Sequence, residues 1–143
     1  MAQERMARSE TGVSEEIAAS PEQVWAVIGD FARLDWLPGT EITTKGRGVG
    51  AMRYSRQADG STVAERMETD EPLSYSYSIA DGLLPFRDYR ATIKVSAAGA
   101  GRARVDWTAS FVRAADWPPG KLEHLIRKMY GQGLAEAKRR LEG

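Results

Sequence analysis

KLEHLIRKMYGQGLAEAKRRL, residues Lys121–Leu141, is the stretch that decides how this chain folds. At about 100° per residue, Leu122, Leu125, Ile126, Met129, Tyr130, Gly133 and Ala137 fall on one broad face. His124, Lys128, Lys138 and Arg139 lie largely on the other side. The pattern predicts one long amphipathic helix, entered through Trp117-Pro118-Pro119-Gly120. Such a helix must bury its apolar stripe against another element.

The chain upstream supplies that element. From Glu41 to Arg113 the apolar period is two. Met52 and Tyr54 alternate with polar residues, as do Val63, Glu65 and Met67, then Leu73, Tyr75, Tyr77 and Ile79. Tyr89, Ala91, Ile93 and Val95 follow, then Val105, Trp107, Ala109 and Phe111. Turn signals separate the runs at Gly46–Gly50, Asp59-Gly60, Asp70-Glu71-Pro72, Asp81-Gly82 and Gly99-Ala100-Gly101. Strands joined by short turns predict an antiparallel meander with one apolar face, the only surface large enough to receive the helix.

Further upstream, Val13–Ala19 predicts a short first strand. Ser20-Pro21-Glu22-Gln23 is a helix start, with Ser at the cap, Pro at the first helical position and Gln three residues after the cap. Val24, Val27, Ile28 and Phe31 continue at helical spacing, and a second short helix is expected around Arg33–Trp36 before Pro38-Gly39. Residues 1–12, of mixed charge and without an apolar run, are expected to form a flexible tail ahead of a single domain, 13–143.

Composition narrows the function classes. The 143 residues are enough to bury a continuous core without metal or disulfide staples. Lys+Arg and Asp+Glu both total 20, so no general attraction to nucleic acid or anionic membrane is expected. No transmembrane run is present in the sequence. The chain has no Cys, which excludes thiolate chemistry and sulfur metal sites and fits a cytoplasmic location. His124 is the only histidine, so no histidine-cluster metal site and no Ser-His-Asp triad centred elsewhere can form, and its helical position puts it on the surface. Gly46-Arg47-Gly48-Val49-Gly50 looks like a phosphate loop, but strand residues Met52–Arg56 follow it where a helix N-terminus would be required, so it reads as a bent hairpin.

Tyr54, Tyr75, Tyr77, Tyr89, Trp107 and Phe111 give the inner face an aromatic lining. Glu65 is in phase with Met67, hence inward, and Arg87 is in phase with Tyr89. A buried carboxylate must be paired, neutralised or facing a wet cavity. Glu65 and Arg87 therefore form either a structural pair at the sheet's end or part of a pocket, unless a bulge slips the strand phase and sends them outward. Gly131 and Gly133 each cost up to about 1 kcal/mol relative to Ala inside a helix. Gly133, mid-stripe, is expected to leave space for a ligand between helix and sheet.

These residues resemble a family. Ile17-Ala18-Ala19-Ser20-Pro21-Glu22-Gln23-Val24-Trp25, Asp30-Phe31 with Trp36-Leu37-Pro38, and Gly48-Val49-Gly50-Ala51-Met52-Arg53 match the START/SRPBCC superfamily and its polyketide cyclase/dehydratase-like branch. So do Glu65-Arg66-Met67 with Asp70, Tyr75-Ser76-Tyr77, Val105-Asp106-Trp107 before Phe111, and Tyr130-Gly131-Gln132-Gly133-Leu134-Ala135. The resemblance implies an α+β helix-grip fold in the order β-α-α-β6-α. A seven-stranded curved antiparallel sheet would grip the last helix over a deep cavity. It also implies binding of a small hydrophobic or aromatic metabolite, with no cofactor and no metal.

Three functions compete. The chain could carry or sequester a metabolite. It could be a polyketide cyclase or dehydratase, with Arg87 or a tyrosine polarising a carbonyl and Glu65 taking an α-proton. It could also be a protein-interaction module of the same fold. The candidate catalytic residues are Glu65, Arg87 and Tyr89. The candidate ligand-binding residues are Trp36, Tyr54, Met67, Tyr75, Tyr77, Trp107, Phe111, Met129 and Gly133. The oligomeric state is open.

Overall fold

A computed structural model describes residues 8–37, 39–56, 60–82 and 85–143. Among these residues seven strands and two helices follow in order: β1 (Arg8–Ile17), α1 (Pro21–Ile28), β2 (Glu41–Lys45), β3 (Met52–Arg56), β4 (Thr62–Glu71), β5 (Ser74–Asp81), β6 (Phe86–Ala97), β7 (Ala103–Arg113) and α2 (Lys121–Glu142). All pairings are antiparallel, in the order β1-β7-β6-β5-β4-β3-β2. This is the helix-grip architecture, and α2 is its gripped element.

The strand β1 starts earlier than its side chains suggest. Residues 8–12, expected as tail, pair with β7 from Arg8↔Val112 to Gly12↔Thr108. Arg-Ser-Glu-Thr-Gly has no apolar alternation, because an edge strand is held by backbone bonds to its single neighbour. Residues 1–7 of the expected tail lie outside the described residues, as do Pro38 and Asp59 of the turn signals. α2 ties itself along β1. Arg127 Nη1 donates to Thr11 Oγ1 at 3.0 Å, Lys138 Nζ to Glu15 Oε1 at 3.1 Å, and Ala18 N to Glu142 Oε2 at 2.8 Å.

The helix start at Ser20 is formed as the sequence indicates. Gln23 N donates to Ser20 Oγ at 3.1 Å and Ser20 N to Gln23 Oε1 at 2.9 Å. The expected second helix at Arg33–Trp36 is instead a pair of turns, closed by Arg33 N to Asp30 O and Leu37 N to Leu34 O. Asp30 Oδ1 accepts from Ala32 N at 2.9 Å, a side-chain bond that competes with helix continuation. The turns drop Phe31, Leu34 and Trp36 into the core.

Two strand phases differ from the alternation in the sequence. In β3 the buried residues are Arg53 and Ser55, while Met52 and Tyr54 are half-buried. Register explains this: Arg53 pairs with Glu65, and cross-strand partners share a face. In β6 a bulge between Arg87 and Arg90 carries Asp88 at φ 53°, so Arg87 leaves the phase of Tyr89 and is exposed. Leu73 sits in the β4–β5 turn at φ 61°, outside the strand. The Gly46–Gly50 segment joins β2 to β3 as a hairpin, with Gly46, Gly48 and Gly50 all at positive φ.

Gly133 is explained by packing. A Cβ there would stand 2.7 Å from Leu37 Cδ1 and 2.9 Å from Trp36 Cζ3. The gap opposite Gly133 is thus filled by the α1–β2 connection. Trp36 is fully buried, 5.4 Å from Trp107, which stacks on Tyr130 at 3.8 Å and 3°. Gly131 has open space around it.

The two glycines should therefore respond oppositely. Gly131→Ala should stabilise the fold by about 1 kcal/mol through helix propensity alone. Gly133→Ala should lose that gain against Trp36 and Leu37, and Gly133→Leu should cost about 1–3 kcal/mol or more by overpacking. Denaturant melts of the three variants check this; equal stabilisation by both alanines would refute it.

Candidate functional site

Between α2 and the inner face of the sheet lies a cavity of about 380 Å³. Ser55, Val63, Glu65, Tyr77, Ile79, Phe86, Tyr89 and Trp107 line it from the sheet, and Leu122, Leu125, Ile126 and Met129 from α2. Leu34, Leu37, Thr40, Pro85 and Trp117 complete it from connecting segments. Leu125 and Met129 are each 44% exposed, so they form the rim, though their helical phase placed them with the core stripe.

The cavity has one charged corner. Arg53, 1% exposed, donates from Nε to Glu65 Oε1 at 2.8 Å and from Nη1 to Phe31 O at 3.0 Å and Tyr75 Oη at 3.3 Å. Its guanidinium carbon lies 4.2 Å from the Phe31 ring centre and 4.9 Å from that of Tyr77. Burial by itself would lower the pKa of Arg53, but the Glu65 carboxylate, with Tyr75 and Tyr77 adding, holds it above its usual value. Glu65 Oε2 takes no hydrogen bond from any other described residue.

The tyrosines form the polar remainder. Tyr77 Oη accepts from Trp107 Nε1 at 3.2 Å, and the Tyr89 and Tyr130 hydroxyls bond to each other. Burial pushes the Tyr77 and Tyr89 hydroxyls well up, and the Glu65 charge pushes the same way. Burial raises Tyr75 also, against the opposing pull of Arg53.

The expected site residues separate by position. Glu65, Tyr77, Tyr89, Trp107 and Met129 line the cavity. Trp36, Met67, Tyr75 and Phe111 are buried packing residues outside that lining, and Gly133 is packed under Trp36 and Leu37. Tyr54 is half-buried on the face opposite Arg53, turned there by the β3 register. Arg87 is exposed near Asp88, at 3.8 Å, and is not the partner of Glu65. The pairing residue missed in the sequence is Arg53. Its signal was present: Arg53 and Glu65 are nearly equidistant from the Asp59-Gly60 turn signal, which places them opposite each other in a hairpin. His124 is exposed, and no group of three or more His, Asp or Glu among the described residues could hold a metal ion. No helix among them is long and apolar enough to cross a membrane.

Two measurements test this electrostatic account. Arg53→Met should cost about 3–5 kcal/mol, because it strands a largely buried carboxylate, and Arg53→Met/Glu65→Leu should recover much of that loss. Additive losses in the double-mutant cycle would refute the pairing. For the tyrosines the sign follows from folded-state pKa values above the ordinary 10.0. Stability should be full below pH about 10 and fall as pH rises from there toward the folded values. Ultraviolet titration should show Tyr75, Tyr77 and Tyr89 ionising only together with unfolding; gradual ionisation in the folded protein would contradict their burial.

Comparison with known proteins agrees with this fold. An uncharacterised protein from Bacillus thuringiensis is 31% identical, with a TM-score of 0.81 over 94% of this chain and 100% of that one. The protein XoxI from Bacillus cereus is also 31% identical, with a TM-score of 0.80 over 93% and 95% of the two chains. Norcoclaurine synthase from Thalictrum flavum, solved with dopamine and hydroxybenzaldehyde, shares the fold at 19% identity, with a TM-score of 0.76 over 97% and 90%. No curated protein matches the chain by sequence. Residues 9–142 match the family described as polyketide cyclase/dehydrase and lipid transport, and the chain belongs to that family.

Proposed function

We propose that this protein binds a small hydrophobic or aromatic metabolite in the cavity between α2 and the sheet. The observation that carries the reading is the cavity itself: about 380 Å³, walled by aromatic and aliphatic side chains, with few polar groups at one corner. That size and that ratio of apolar wall to polar anchor are those of small-molecule pockets. The crystal complex of norcoclaurine synthase with two small aromatic molecules supports the same use of this fold. Carriage or sequestration needs nothing more than the cavity.

A second reading, cyclisation or dehydration without a cofactor, is favoured by one further feature. Glu65 presents a carboxylate to the cavity beside the neutral hydroxyls of Tyr77 and Tyr89, a base next to proton donors. In this reading Glu65 takes an α-proton and Tyr89 or Tyr77 donates to the carbonyl oxygen. Arg87, exposed outside the cavity, has no part in it.

One titration series tests both. Apolar aromatic ligands should bind saturably, with a change in tryptophan emission from Trp107 and Trp117 and little dependence on salt. Met129→Trp, which fills the rim, should weaken binding at least tenfold with stability within about 0.5 kcal/mol of the parent. Unchanged binding in that variant would place the ligand elsewhere and sink the reading. Turnover of a poly-β-ketone mimic that is lost in Glu65→Gln while binding survives would establish the second reading; no turnover leaves binding alone.

A further inference from the structure

We infer that the ligand carries a hydrogen-bond donor on its buried end, a hydroxyl or an ammonium group, and that Glu65 is the residue that selects it. The inference rests on the cavity reading above and adds the chemistry of the ligand's head. It begins with the asymmetry of the ion pair. The Arg53 side chain is 2% exposed and the Glu65 side chain 14%, and of the two only Glu65 lines the cavity. Phe31 and Tyr77 cover the guanidinium at 4.2 Å and 4.9 Å, and its Nε and Nη1 protons are taken by Glu65, Phe31 O and Tyr75. A bound molecule therefore meets the negative end of the pair with the positive end sealed behind aromatic rings.

The free valence at that end is an acceptor. An ionised carboxylate only accepts hydrogen bonds. Glu65 Oε1 is occupied by Arg53, and Oε2 accepts from no other described residue. When a ligand displaces water from the cavity, Oε2 loses its solvation unless the ligand replaces it with a donor. A purely apolar molecule leaves that cost in place. A ligand carboxylate adds a second negative charge beside the first in a poorly solvated space, where like charges repel strongly. The neighbouring hydroxyls do not reverse this preference. Tyr77, whose Oη accepts from Trp107, keeps a proton to donate, but a neutral hydroxyl brings no charge to offset the repulsion between a ligand carboxylate and Glu65. The aromatic walls then favour a ring system behind the donor.

Isothermal titration with one ring and four heads reads the selection: naphthalene, β-naphthol, naphthylethylamine and naphthoate. The folded parent should bind β-naphthol or naphthylethylamine about tenfold or more tighter than naphthalene, the factor one charge-assisted hydrogen bond confers. Naphthoate should bind weakest. Preference for naphthol assigns a neutral hydroxyl head, and preference for the amine a cationic one. In Arg53→Met/Glu65→Leu, which removes both charges together, the donor advantage should shrink to about twofold while naphthalene still binds. Glu65→Gln provides a second check, since it should abolish any preference for the ammonium over the hydroxyl head and relieve the rejection of naphthoate. Naphthoate binding as tightly as naphthol to the parent, an undiminished donor advantage in Arg53→Met/Glu65→Leu, or an unchanged ammonium preference in Glu65→Gln would overturn the inference and leave the cavity reading standing. Failure of all four, naphthalene included, would sink both.

Discussion

An arginine with 1% exposure imposes conditions on everything near it. Arg53 cannot stay buried without a counter-charge and partners for its N–H groups, so Glu65 must be inward on β4, directly across the strand pair. That requirement sets the face of both strands. It also fastens the α1–β2 connection to the sheet, because the Phe31 carbonyl accepts from Nη1 and the Phe31 ring covers the charge. Tyr75 and Tyr77, one strand further on, complete the enclosure. One buried cation thus orders three strands and a loop.

The opposite side of the cavity depends on a contact of a different kind. The Trp36, Trp107 and Tyr130 rings form a continuous aromatic column from the α1–β2 connection through the sheet to α2. Gly133, one turn beyond Tyr130, lets Trp36 and Leu37 press against the helix backbone. Close packing here and the ion pair there leave the space between them unfilled. The cavity lies between these two ends, with the partly exposed Leu125 and Met129 at its rim. In the ligand-binding reading, the apolar exposure at that rim is the entrance.

Chemical use of the site follows from its division of polarity. The tyrosine hydroxyls remain neutral because burial disfavours the phenolate, and the Glu65 charge disfavours it further. The same carboxylate that raises them is the charged group lining the cavity. Binding and proton transfer would draw on the same few atoms, which is why a single family can include carriers and catalysts without a change of architecture.

How much of this was legible in the sequence divides along a physical line. The period-two runs, the turn residues and the helix stripe fixed the sheet, the gripped helix and most of the core, because those signals depend only on which face of a local element is apolar. The same local logic turned Glu65, Tyr77, Tyr89, Trp107 and Met129 toward the cavity they line. What escaped it was set by pairing between segments distant in sequence. Residues 8–12 are strand because β7 offers them backbone partners, and Arg53 is inward because Glu65 stands across from it. Arg87 is outward because a bulge at Asp88 shifts β6, and Gly133 is required because Trp36 lies against it. Sequence periodicity by itself determined the long helix and most of the strands with their apolar faces, but not the face of β3 or the turns of the α1–β2 connection. Register, bulge and ring-to-backbone contact exist only once the chain is closed, so the tertiary structure alone decided which charge partners Glu65 and where the cavity ends.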